Sequence, residues 1–302
     1  MIIVSGASGA FGRQAAELLI EAVDPGQLVL TSRTPAKLID LAERGAQVRF
    51  ADFDDPASLE AAFAGGTRML LISTARVGSR VGQHINAMTA AVKAGVKHIA
   101  YTSLLGVAKE GNPAIVKLDH LATEQALEQC GAAWTFLRDS QYAEAIAGAM
   151  APGAVATGRL PDNTTDGRIA FVSRDDCVAV AAAVLRQEGH ENKAYDLTGP
   201  EIWTIAQAMD LVSELSGKAI VVEPVDDEGM FRHFDALGIP RHASDEIIPG
   251  AIPWCSEDMV TFGKSIREGY FDSLTDHVER ITGRPAKGLR EVMLAFKDGW
   301  PN

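Results

Sequence analysis

Short runs of aliphatic and β-branched residues alternate with longer segments of helical period from the first residue onward, a rhythm that predicts βα units on a parallel sheet. The strand-like runs are Ile2 to Val4, Leu28 to Ser32, Val48 to Phe50, Met69 to Ser73, His98 to Thr102 and Thr135 to Arg138. They are apolar almost without interruption, which suits strands covered by helices on both faces. Helix starts are marked by Thr34 before Pro35 and Asp55 before Pro56, each a capping side chain ahead of a proline in the first turn. Helix ends are marked by Gly45 and by Gly95, the latter closing a helix that begins near Ser79. The pattern predicts an α/β fold built on a doubly wound parallel sheet.

Beyond residue 150 the texture changes. Pro152 to Gly167 is rich in Gly, Pro, Asn and Asp and reads as loop. One more βα unit is expected after it, with a strand at Ile169 to Val172 and a helix at Asp175 to Arg186, then a strand at Ala194 to Thr198. Helices follow at Thr204 to Ser216 and Asp226 to Leu237, a short strand at Ala219 to Glu223, and two helices around Asp276 and Leu289. The expected organisation is a doubly wound domain over residues 1–150, with 167–198 returning to its sheet. Residues 151–166 and 199–302 form a smaller C-terminal α/β lobe over the sheet's carboxyl edge.

Composition narrows the function. The 302 residues carry 28 Lys and Arg against 40 Asp and Glu, a formal charge of −12, which disfavours a surface that tracks nucleic-acid phosphates or anionic membranes. Cys130, Cys177 and Cys255 are far apart and odd in number, so neither a disulfide framework nor a zinc knuckle is expected and a reducing, cytoplasmic setting fits best. The start lacks a basic segment ahead of its apolar run, unlike a secretory signal, and no apolar stretch approaches the ~18 residues of a membrane helix. The histidines show no paired metal-ligand spacing, so no metal is expected. His190, in Gly189-His190-Glu191-Asn192-Lys193, reads as a surface turn.

The chemistry begins at Ser5-Gly6-Ala7-Ser8-Gly9-Ala10-Phe11-Gly12, which leaves the first strand and opens the first helix with its glycines spaced G-x-x-G-x-x-G. Small residues there let backbone N–H groups approach a diphosphate at the positive end of the helix, the arrangement of a Rossmann fold. The second strand ends Thr31-Ser32-Arg33. No acid is present to hold a ribose diol; Arg33 offers a fork suited to a 2′-phosphate, with Lys37 one turn onward, so NADP(H) is expected in preference to NAD(H), which stays possible. Asp52 and Phe53 follow the third strand, Ser73, Thr74 and Ala75 end the fourth, and Thr102 and Ser103 end the fifth. These strand ends are where ligands bind in such sheets, though each residue also suits a turn or cap.

Together with Ala51-Asp52-Phe53, Val96-Lys97-His98-Ile99-Ala100-Tyr101-Thr102, His120-Leu121-Ala122-Thr123-Glu124, Thr135-Phe136-Leu137-Arg138 and the 188–193 segment, the glycine loop resembles the NmrA-like branch of the atypical short-chain dehydrogenase/reductases. The resemblance implies an NADP(H)-binding Rossmann domain, a small substrate lobe, and aromatic or quinone-like small-molecule acceptors. It also points to His120 and, less directly, Lys117 on one face of the helix after strand five, and to Tyr142, as catalytic candidates; each equally fits a packing role. Ordinary members of the wider superfamily reduce carbonyls with a Tyr-x-x-x-Lys pair. Here Tyr101, Tyr142, Tyr195 and Tyr270 are followed four residues on by Leu105, Ile146, Gly199 and Leu274. Without that tuned acid, reduction of a simple ketone is handicapped by ~10²- to 10⁴-fold. The expectation is therefore an NADPH-dependent reductase of quinone-like or electron-poor aromatic molecules, working as a monomer or homodimer. A non-catalytic NADP(H)-sensing regulator and a reductase or isomerase of a specific carbonyl or enone metabolite remain the alternatives.

Overall fold

The structure is a computed structural model that describes residues 1–243 and 254–301. Its main sheet holds seven parallel strands: β1 (Ile2–Val4), β2 (Leu28–Ser32), β3 (Gln47–Phe50), β4 (Arg68–Leu71), β5 (His98–Leu104), β6 (Ala133–Asp139) and, after one strand outside this sheet, β8 (Lys193–Leu197). The spatial order is β3-β2-β1-β4-β5-β6-β8, with the order reversing between β1 and β4. The excluded strand, β7 (Arg159–Asp162), pairs in parallel with β9 (Val221–Pro224) as a separate two-stranded sheet.

Both faces of the main sheet are covered, which explains why its central strands read as unbroken apolar runs. On one face, Leu19 and Ile20 of helix Ala10–Ala22 and Val180 to Leu185 of helix Arg174–Arg186 pack on Val4, Leu30 and Leu70. On the other, helices Pro56–Phe63, Arg80–Lys93 and Val116–Gln129 bury Phe63, Ala87 and Leu127 against Ile3, Val29, Ile99 and Tyr101. A third core joins Leu104 and Leu105 at the end of β5 to helices Ile205–Ser216, Ser256–Arg267 and Leu289–Phe296.

Local signals explain most boundaries. Asp55 accepts from Ala57 N as a helix cap, and Gly45 and Gly95 take φ of +101° and +98° past their helices. Thr204 and Gln207 form a reciprocal capping box.

Four readings need correction. Ile169 to Val172 is not a sheet strand: it makes single bridges, Ile169 to Trp203 and Val172 to Tyr142, because β6 and β8 pair directly and leave no slot for it. The 152–167 stretch is not all loop, since it contains most of helix Ala151–Thr157 and all of β7. Thr34 does not cap through its side chain, and a 3₁₀ turn at Pro35–Leu38 precedes the helix there. His190 is buried, with Nδ1 against the Tyr195 hydroxyl at 2.9 Å and Nε2 against Gln187 at 3.1 Å. Helix Ser256–Arg267 was missed altogether.

Candidate active site

The glycine loop runs from β1 over the carboxyl edge into helix Ala10–Ala22, next to the point where the strand order reverses. Gly6 has φ +59°, a left-handed conformation that side chains resist. A Cβ on Gly12 would stand 2.5 Å from the Gly6 carbonyl oxygen and 2.8 Å from Ala7 Cα, so the helix can sit this close to the loop only without a side chain. Ala7 N donates to Thr31 O at 3.0 Å, and the Ser8 and Ser32 hydroxyls meet at 2.7 Å, tying the loop to the end of β2. Gly9, Ala10 and Phe11 form the helix start, where backbone N–H groups collect positive potential. The cradle fits a dinucleotide diphosphate.

Arg33 and Lys37 lie exposed just beyond β2. Neither side chain forms an ion pair among the described residues, whereas the neighbouring Arg13 is committed to Glu17 and Asp40. Asp52 accepts from Asp54 N at 3.1 Å in its own turn, and Phe53 is half-buried, its carbonyl accepting from Asn86. Around β4, Ser73 N donates to Thr102 Oγ1 at 2.8 Å and Thr74 Oγ1 to Gln83 at 2.6 Å, while Ala75 is exposed. Ser103 points away from that group: its hydroxyl donates to the buried Glu124 at 2.6 Å, which also holds Arg138 through two bonds of 2.9 and 2.7 Å. The structure thus brings Ser73, Thr74 and Thr102 together and separates Ser103 from them.

The catalytic candidates fall in two places. His120 is buried, its Nε2 at 3.3 Å from the Arg80 guanidinium and its Nδ1 at 2.9 Å from the Tyr101 hydroxyl. Arg80 can only donate, so Nε2 is the acceptor and Nδ1 carries the proton of a neutral ring. Burial, with Arg80 and His84 beside it, holds its pKa well below the usual histidine value. His84 is neutral too, pushed down to about 3 chiefly by burial: its Nε2 accepts from Thr74 N, which leaves Nδ1 facing Thr123. Lys117 is buried and donates to the Lys109 carbonyl at 2.8 Å. Tyr142 lies elsewhere, half-buried after β6, with its ring 6.4 Å from Phe11 of the glycine loop and its hydroxyl donating to Asp139 at 2.6 Å. Sequence reading passed over Asp139, Arg80 and Glu124, although an aspartate closing an apolar strand three residues ahead of a tyrosine was a visible signal.

A family model described as NAD(P)H-binding matches residues 6–188, which takes in the cradle and all seven strands of the main sheet except β1 and β8. The chain belongs to this NAD(P)H-binding family. It is 38% identical over 291 residues to quinone oxidoreductase 2 of Escherichia coli (strain K12), covering 96% of each chain. The structure of NADPH-dependent quinone oxidoreductase QOR2 from that species, complexed with NADPH, superposes with a TM-score of 0.88 at 32% identity, covering 98% of this chain and 99% of that one. Triphenylmethane reductase of Citrobacter sp., complexed with NADP(H), superposes with a TM-score of 0.86 at 30% identity and the same coverage. The protein is an NAD(P)H-dependent oxidoreductase, and the NmrA-like resemblance and Rossmann fold expected from its sequence both hold. No helix among the described residues is long and apolar enough to cross a membrane.

Proposed function

We propose that the protein is an NADPH-dependent reductase of quinone-like or electron-poor aromatic small molecules. The observation that carries the reading is the cradle at Gly6 to Gly12 beside Arg33 and Lys37, which are exposed and form no ion pair among the described residues. Gly6 to Gly12 would hold the diphosphate, and Arg33 with Lys37 the 2′-phosphate. Asp52 and Phe53 would flank the adenine, with Ser73, Thr74, Ala75 and Thr102 along the middle of the cofactor. When bound, the nicotinamide supplies a hydride, and with it two electrons, to the acceptor.

The acceptor class follows from the weakness of the chain's own acids. No tyrosine is followed four residues on by a lysine that would lower its pKa, burial and Asp139 push the Tyr142 phenol up instead, and His120 is neutral, buried and engaged at both ring nitrogens. Acceptors that delocalise incoming electrons need less proton assistance than a ketone does, so holding cofactor and acceptor together supplies much of the rate. The relatives' names, a quinone oxidoreductase and a triphenylmethane reductase, agree with this class. The test is NADPH oxidation followed by absorbance across a panel of quinones, cationic dyes and simple ketones. Turnover confined to the first two groups is expected, and turnover confined to ketones would overturn the reading.

A further inference from the structure

We propose that Asp139 is a positioning residue and proton reservoir that acts through Tyr142, which delivers to a reduced quinone the proton that hydride transfer does not supply. The inference rests on the acceptor class proposed above.

Asp139 closes β6 at the carboxyl edge of the sheet, the edge over which the glycine loop runs. Its carboxyl is buried, and Tyr142 Oη donates to Oδ2 at 2.6 Å. The other oxygen, Oδ1, is buried without a hydrogen-bond partner among the described residues. A carboxylate buried with one donor is poorly satisfied, whereas a carboxylic acid supplies its own proton to the pair. The groups that face it pull toward the carboxylate, but weakly. From helix Arg174–Arg186, the Cys177 thiol lies beside the carboxyl and is itself pushed up by burial. The Arg174 guanidinium stands 5.5 Å over the Tyr142 ring and forms no ion pair with Asp139. The carboxylate of Glu144, one turn on, accepts from Ser173 Oγ and Arg174 N. Burial outweighs the hydrogen bonds and pushes Asp139 up to about 7. The Tyr142 ring meets Phe11 of the loop, so one aromatic side chain joins the buried acid to the cofactor cradle.

With Asp139 protonated, its O–H turns to the tyrosine oxygen and frees the Tyr142 O–H for a bound acceptor. Hydride addition leaves a quinone as an oxyanion one proton short of hydroquinone. That oxyanion takes the phenolic proton while Tyr142 takes the carboxylic one: an O–H bond forms on the product, the Asp139 O–H breaks, and the negative charge passes to Asp139 with no electron transferred. Water reprotonates Asp139 between turnovers. With Asp139 ionised, the phenol stays bound to the carboxylate and the relay is idle. A cationic triarylmethyl dye becomes neutral on taking hydride and needs no such proton.

The experiment combines carbon-13 NMR of the aspartate carboxyls in the cofactor-free protein with kcat–pH profiles for one quinone and one cationic dye. Asp139 should titrate near pH 7, above Asp258, which burial raises to about 6, and its resonance alone should vanish from the spectrum in Asp139→Asn. Quinone kcat in the wild type should fall about tenfold per pH unit above that value. The limb should disappear in Asp139→Asn, return in Asp139→Glu, and be missing from the dye profile. Should Asp139→Asn fail to fold, the wild-type titration and the quinone-against-dye comparison still decide. No aspartate besides Asp258 titrating near pH 7, a limb that survives in Asp139→Asn, or the same profile for both acceptors would overturn the inference while leaving the reductase standing. No turnover with any acceptor would sink the acceptor class itself and the inference with it.

Discussion

Replacing Asp139 with asparagine should change how the protein's stability responds to pH. The residue is only 5% exposed, and burial raises its carboxyl from 3.8 to about 7 against the opposing pull of Tyr142 and Cys177. A carboxyl that holds its proton more tightly in the folded chain than in the unfolded one costs nothing below about pH 4, where both states are protonated. The cost grows as pH rises through the unfolded value and is complete above about pH 7. At 1.36 kcal/mol for each tenfold change in proton affinity, the full penalty is on the order of 4 kcal/mol. Asparagine keeps the size and an acceptor for Tyr142 but removes the titration. Urea unfolding of both proteins at about pH 4, 6 and 8 reads the difference directly. The variant should gain on the wild type by on the order of 4 kcal/mol across that range. His84, His98 and His120, all lowered by burial, disfavour the folded state as pH falls, but they do so in both proteins and cancel. Stability curves that run parallel to within about 1 kcal/mol would refute the reasoning.

Three other outcomes are expected. Arg33→Ala should weaken NADPH binding roughly 10- to 100-fold, the value of a charge-assisted bond at about 1.5–3 kcal/mol, and leave NADH within about twofold; an equal loss for both, by fluorescence titration, would remove the phosphate assignment. Gly12→Ala should cost about 1–3 kcal/mol in denaturation and weaken NADPH at least about tenfold, because its Cβ would press within 2.5 Å of the Gly6 carbonyl oxygen. Glu124→Gln should destabilise by about 3 kcal/mol in urea unfolding, since the Arg138 guanidinium loses its charged partner and an amide NH2 replaces the oxygen that accepts from Arg138 Nη2, while Oε1 still accepts from Ser103.

The main sheet was legible because its central strands are buried on both faces, so composition alone marked them; β1 and β2 fall on the expected residues. The glycine loop was legible because close approach and left-handed backbone select glycine and little else. Ile169 to Val172 misled for the same reason that the true strands succeeded: it is apolar and fully buried, but against loops and helices instead of a neighbouring strand. β7 was hidden because a two-stranded pairing with β9 half-exposes it and tolerates Pro161. Helix Ser256–Arg267 was hidden by its serines and charges, although Ser256, Asp258 and Ser265 are buried in it. Spacing could show Lys117 and His120 sharing a helix, but not that Arg80 would occupy His120 or that Lys109 would occupy Lys117. The first contact joins residues forty apart and the second closes a loop of eight, and only the fold creates them.

The most direct measurement of the central claim is isothermal titration calorimetry of the intact protein with NADPH and, separately, NADH. Saturable one-site binding, tighter for NADPH, is predicted from the cradle at Gly6 to Gly12 and the exposed cations Arg33 and Lys37. No binding of either nucleotide would contradict the account.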